Sequence, residues 1–162
     1  MANQRIWAPW RLKYVKDASK DSDQECVFCQ APAADQDREM LIVHRGETCF
    51  VILNKFPYTN GHLMVAPFEH LGTLQSLPEV TMNEMMALTR RAMTTLEKAY
   101  GPHGFNVGMN QGRAAGAGVE HHVHMHIVPR WGGDTNFMPV LGDTRVMPQT
   151  LEESLTMLEG KI

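Results

Sequence analysis

From Met40 onward the apolar and polar positions fall into short, regular blocks. Met40–His44 and Thr48–Leu53 are β-favouring runs joined through Arg45-Gly46-Glu47, which reads as a hairpin. A third strand is expected over His62–Pro67, after the turn-rich Pro57-Tyr58-Thr59-Asn60-Gly61. At Leu77-Pro78-Glu79 the period changes: Met82, Met85, Met86, Thr89, Ala92, Met93, Leu96 and Tyr100 recur at helical steps, and Gly101-Pro102 ends the run. Its methionines are expected to fill a sheet-facing core with adaptable thioethers. Phe105–Met109 and His122–Val128 read as two more strands around the glycine-rich Gln111–Val119. Thr150-Leu-Glu-Glu153 fits a capping box, followed by a short helix with Leu151, Leu155 and Leu158 on one stripe. The order β-β-β-α-β-β with a terminal helix predicts an α+β fold, one long helix laid on an antiparallel sheet of about five strands.

The first forty residues look irregular, with Pro9, Pro32 and the polar Lys16–Glu25 breaking any long element. Trp7, Trp10, Leu12, Tyr14 and Val15 are nonetheless too apolar for a free tail and predict an arm packed on the domain or on a partner chain. At 162 residues, 43% hydrophobic and 20% charged, the composition predicts a single domain, with residues 1–39 as the arm and 40–162 as sheet and helices. A net charge of −3 argues against a general nucleic-acid or membrane-surface binder, so an anionic ligand needs a local site. The apolar runs fall far short of the roughly 18 residues that span a bilayer, and the N-terminus lacks a secretory apolar region. With three cysteines, which cannot all pair, the expected compartment is the cytoplasm.

Four of the eight histidines lie in His121-His-Val-His-Met-His126. Strand side chains alternate, so His122, His124 and His126 share one face while Val123, Met125 and Ile127 enter the core. A lone histidine such as His44 or His103 is ordinarily a satisfied surface residue, but three in register imply either metal ligation or nucleophilic and acid–base catalysis. The preceding loop, Asn110 to Gly118, has glycines that let amides approach an anion, and Arg113 offers a fork of donors. Set against three imidazoles, it suggests chemistry at phosphorus. Cys26-Val-Phe-Cys29 is a second signal, a redox pair or half of a metal site. Cys49 sits in a strand pattern as a small core residue.

His122-Val-His-Met-His126 resembles the signature of the histidine triad family. Gly61-His62, Asn54, Ile6-Trp-Ala-Pro-Trp-Arg11, Arg130-Trp-Gly-Gly-Asp-Thr-Asn-Phe137 and Arg145-Val-Met-Pro148 are similar to its branch of bacterial diadenosine-tetraphosphate phosphorylases and related hydrolases. The resemblance implies that fold and a nucleotidyl transfer in which His124 attacks the α-phosphorus, His126 contacts the phosphate and aids the leaving group, and Asn110, Gln111 and the amides around Gly116 and Gly118 hold nonbridging oxygens. Asn54 and His62 match nucleotide-binding features, Asn54 towards the ribose, with Phe50 and Ile52 flanking the base. Arg113, the neighbouring amides and Arg130 or Arg145 would hold an acceptor phosphate. The resemblance also implies a structural zinc on Cys26, Cys29, His70 and His122, and a homodimer.

The expected activity is phosphorolysis of diadenosine tetraphosphate to ATP and ADP. Val119, where many members carry a hydroxyl residue, keeps open a hydrolase acting on dinucleoside polyphosphates or nucleoside phosphoramidates. A non-catalytic nucleotide-binding regulator would not require His124. A metalloenzyme with His122, His124 and His126 on one catalytic zinc would leave Cys26 and Cys29 without a role.

Overall fold

The structure, a computed structural model, describes residues 26–137, 141–142 and 146–162. The aromatic arm at Trp7, Trp10, Leu12, Tyr14 and Val15, with Arg145, lies outside the described residues. Five antiparallel strands form one sheet: β1 (Ile42–Arg45), β2 (Cys49–Leu53), β3 (Leu63–Pro67), β4 (Gly104–Met109) and β5 (Met125–Arg130), in the order β1-β2-β3-β5-β4. Between β3 and β4 the helix α2 (Glu79–Tyr100) carries the chain over the sheet to its far edge, and β5 returns to fill the gap beside β3. Gly101 ends this helix in the left-handed region at φ 55°, which a residue without Cβ adopts at little cost. Among the described residues no helix is long and apolar enough to cross a membrane.

The alternation of β2 distributes its side chains to two cores. Cys49, Val51 and Leu53 join Leu63, Val65 and Ile127 under Met85, Leu88, Ala92 and Leu96 of α2. Phe50 and Ile52 face the other way, where Met64, Ala66 and Ile42 meet Phe28 and Ala31. Both faces of β2 and β3 are therefore covered, and all ten of their residues are buried. Each large side chain so buried contributes about 1.5–3 kcal/mol.

Two sequence expectations change here. The second core is closed by a helix, α1 (Val27–Ala33), inside the stretch expected to be irregular. Pro32 sits within it and removes one amide donor, but the burial of Phe28 and Ala31 outweighs that local penalty. In α2 the methionine stripe is out of phase: Met82 and Met86 are 37% and 53% exposed, and the buried face runs through Thr81, Met85, Leu88, Thr89, Ala92, Thr95 and Leu96. Threonines serve as core residues because their hydroxyls are satisfied locally, Thr89 donating to the Met85 carbonyl at 2.7 Å and Thr95 to that of Lys161 at 2.9 Å. The terminal helix α3 (Leu151–Leu158) has the expected capping box, with Thr150 and Glu153 bonded reciprocally.

The hairpin is fastened to α2 by a single carboxylate. Glu84 accepts from the Glu47 amide at 2.7 Å, from the Cys49 amide at 3.1 Å, and from both the amide and the hydroxyl of Thr48. Burial works to raise its pKa, but these hydrogen bonds together hold it below the usual carboxylate range. A depressed folded-state pKa adds stability that is present above the unfolded value and lost as pH falls through the folded one. Glu84→Gln should therefore destabilise by about 1–3 kcal/mol at pH 7. Denaturant titrations of parent and variant should converge as pH falls below about 4.

Candidate functional site

The chemistry-bearing side chains lie along the segment that leads into β5. His122 and His124 precede the strand, which begins at Met125 and not at His122, yet the alternation persists: Val123 and Ile127 enter the α2 core while the three histidines face the opposite side. The backbone before the strand is held by the Val123 amide, which donates to the Leu71 carbonyl at 2.6 Å. Along this face the ring centroids of His124 and His126 are 4.8 Å apart, and those of His126 and His62 5.2 Å.

Hydrogen bonds assign the tautomers of the neutral rings. His124 Nδ1 lies 2.8 Å from the His122 carbonyl oxygen, which only accepts, so Nδ1 carries the proton and the Nε2 lone pair is left for chemistry. His62 Nδ1 accepts from the Tyr58 amide at 3.1 Å, which leaves its Nε2–H to donate across 3.0 Å to His126 Nδ1. The His126 proton is thereby placed on Nε2. Burial pushes the imidazolium pKa of His124 down, and burial followed by His124 pushes that of His126 to about 4, so both rings are neutral near pH 7.

His122 is turned away from these two. Its Nε2–H donates to the Pro67 carbonyl at 2.9 Å, and its Nδ1 points at Cys26 Sγ, 3.3 Å away, and Cys29 Sγ, 3.6 Å away. Cys29 Sγ is also 3.2 Å from His70 Nδ1. The two cysteines converge because one helical turn separates them, Cys26 offering its carbonyl to the amides of Cys29 and Gln30 at the start of α1. The four ligand atoms lie within 4.8 Å of one another and could hold a metal ion. Both nitrogens of His122 are committed, so its expected direct catalytic role does not fit; it joins this cluster to the reactive face instead. A single catalytic metal on all three triad residues is likewise at odds with His124 bonded to backbone. Between the cysteines Phe28, 2% exposed, lays its ring 4.6 Å from that of His124 and 5.3 Å from that of His122.

The other predicted residues divide. Asn110 is half-buried, and neither it nor the Gly118 amide has a hydrogen-bond partner among the described residues, so both can take an oxygen. Gln111 instead pins its loop to the turn after β3, accepting from the Leu74 amide at 2.8 Å and donating to Gln75. The Gly116 amide is used within its own 3₁₀ turn, donating to the Arg113 carbonyl at 3.0 Å. Arg113 is exposed and pairs with Glu120 at 3.4 Å, while Arg130 is held by both carboxylate oxygens of Asp134 and by Asn106. Asn54 caps the Phe56 amide at 2.9 Å and stands 3.4 Å from His62 Nδ1. His62 is fully buried and reaches a ligand only through His126. Phe50 and Ile52 are buried in the second core with Phe28, so a base cannot rest on them directly. Sequence reasoning missed Phe28 and Tyr58; the aromatic between two spaced cysteines was the one available signal for the first.

A model of the HIT domain matches residues 36–133. The chain is 38% identical over 161 residues to the AP-4-A phosphorylase of Mycobacterium tuberculosis (strain ATCC 25618 / H37Rv), covering 96% of this chain and 82% of that one. It is 32% identical over 107 residues to the adenosine 5'-monophosphoramidase hnt1 of Schizosaccharomyces pombe, covering 65% and 74%. A zinc-bound histidine triad family protein from Mycobacterium smegmatis superimposes with a TM-score of 0.68 at 31% identity, covering 85% of this chain and 92% of that one.

Proposed function

The chain belongs to the HIT, or histidine triad, family, and from that footing we propose that it transfers a nucleotidyl group through a covalent nucleotidyl-histidine, phosphorolysing diadenosine tetraphosphate to ATP and ADP. The observation that carries this reading is the backbone bond that holds the His124 proton on Nδ1 and leaves Nε2 as a neutral nucleophile. Likeness to a phosphorylase over nearly the whole chain supports the choice of acceptor.

In the first step the Nε2 lone pair forms a bond to the α-phosphorus while the bond to the bridging oxygen breaks, and its electrons leave on ATP. His126 Nε2–H donates to that oxygen as its charge grows, an interaction stronger in the transition state than before it. The Asn110 amide and the Gly118 N–H hold nonbridging oxygens, and Asn54 takes the ribose. In the second step an oxygen of inorganic phosphate displaces His124 from phosphorus, giving ADP. Phosphate competes with water at about 55 M, so it needs a preformed site. Arg113 can supply one by exchanging Glu120 for the anion, whereas Arg130 is already engaged.

The locked Arg130 and the apolar Val119 favour a second reading, hydrolysis, in which water takes the phosphate's place. Product analysis separates the two: ATP and ADP, formed at a rate that falls when phosphate is omitted, support phosphorolysis. ATP and AMP at a rate indifferent to phosphate would identify a hydrolase.

The cluster on Cys26, Cys29, His70 and His122 fits zinc. A tetrahedral ion with two sulfur and two nitrogen ligands keeps them roughly 3.3–3.8 Å apart; three of the six pairs here are separated by 3.2, 3.3 and 3.6 Å, and all four atoms lie within 4.8 Å of one another. The Pro67 carbonyl orients His122 so that Nδ1 points at the two sulfurs and would face a bound ion, as outer partners of ligating histidines do. With Cys26, Cys29, His70 and His122 as its four ligands, a zinc ion would supply a structural cross-link and leave no open position for substrate.

A further inference from the structure

The loop joining β2 to β3 is tightly fastened at its base. Asn54 caps the Phe56 amide, Tyr58 donates its amide to His62, Thr59 donates to the Pro129 carbonyl at 2.9 Å, and Asn60 donates to the Gln149 carbonyl at 2.9 Å. Gly61 closes the loop at φ 73°, where a Cβ would come 2.9 Å from Leu96. The tip is the reverse. Lys55 is exposed, Phe56 is 73% exposed and Tyr58 is 43% exposed. A loop so firmly held presents its aromatics at fixed positions, and ordering them on a ligand costs little further entropy.

Tyr58 borders the histidine row. Its ring packs 4.6 Å from that of His62 and lies near-parallel to His126, with centroids 6.1 Å apart and planes at 24°. The order along the face is thus Phe28, His124, His126, Tyr58: the nucleophile has a buried aromatic on one side and the leaving-group histidine, then an exposed aromatic, on the other. The group that departs past His126 moves towards Tyr58.

We propose that Tyr58 is a stacking platform for the nucleobase of the departing nucleotide, so that the enzyme reads the second nucleoside of its substrate as well as the one it transfers. This rests on the nucleotidyl-transfer reading above. Stacking suits the task because a purine offers a π-face whatever its edge groups, and no polar group at the loop tip is needed to select it.

The test compares kcat/KM for diadenosine tetraphosphate with kcat/KM for adenosine 5′-tetraphosphate, which keeps every phosphate and lacks only the second nucleoside. Parent enzyme, Tyr58→Ala and Tyr58→Phe are measured as full-length, metal-loaded protein. The ratio of the two efficiencies is expected to be about tenfold in the parent, the scale of one stacked base, to survive in Tyr58→Phe and to fall close to one in Tyr58→Ala. A parent ratio near one, or a ratio unchanged in Tyr58→Ala because both efficiencies fall together, overturns the platform; in the latter case the ring merely props His62 and His126. Turnover of neither substrate by the parent overturns the nucleotidyl-transfer reading and this one with it.

Discussion

His124→Asn should reduce turnover of diadenosine tetraphosphate by at least about a thousandfold while nucleotide affinity changes little, because the lost group is needed only for bond formation. Asparagine keeps a donor that can reach the His122 carbonyl, so the backbone before β5 has no reason to move. His124 is 4% exposed with Phe28 against its ring, and a small neutral replacement leaves that wall standing. Two measurements check the claim. Rapid-quench intact mass spectrometry of the parent should find one nucleoside monophosphate added to the chain, mapped to His124, and absent from the variant. Equilibrium binding of a nonhydrolysable analogue should agree between the two within a few-fold. Residual activity above a few per cent would mean that another group attacks phosphorus.

The largest effect on stability is expected from the cysteines. Cys26→Ser with Cys29→Ser should abolish stoichiometric zinc and lower the melting temperature by at least about 10 °C, since binding energy at a closed metal site is folding energy. Without a cation, burial and then the neighbouring Cys26 push the Cys29 thiol up to about 11, so that thiol stays protonated and supplies no comparable attraction of its own. What comes loose is specific: α1 carries Phe28, which closes the second core and flanks His124. Metal analysis and thermal melts of parent, variant and chelator-treated parent provide the readout. A metal-free double variant that melts with the parent would remove the zinc assignment.

The fold was readable where one local rule sufficed. Short β-favouring runs bounded by turn residues located β2 and β3, Gly101 with Pro102 ended α2, and Thr150 with Glu153 announced α3, because a capping box is complete within four residues. The buried face of α2 departs from the methionine stripe at Met82 and Met86 and takes in Thr95, which looks polar in a pattern and becomes a core residue only because its hydroxyl finds the Lys161 carbonyl. Helix α1 was not legible for a similar reason. Pro32 argues against it locally, and the burial that overrides Pro32 comes from strands far along the chain.

The site divides along the same line. The histidine row and its common face follow from sequence alone, because side-chain alternation is a property of any extended chain. The division of labour within that row does not. His122 joins the cysteine cluster only because Pro67 and the two cysteines meet it, at sequence separations of 55, 96 and 93 residues, and His126 has its proton on Nε2 only because His62 reaches it across 64 residues. Gln111 and Arg130, which sequence placed on phosphate, are taken by Leu74, Gln75, Asp134 and Asn106. Sequence determined which chemical groups share a surface; tertiary structure decided which nitrogen of each ring is protonated and which donors are already bound, because hydrogen bonding between distant segments is set by packing and leaves no periodic trace in the chain.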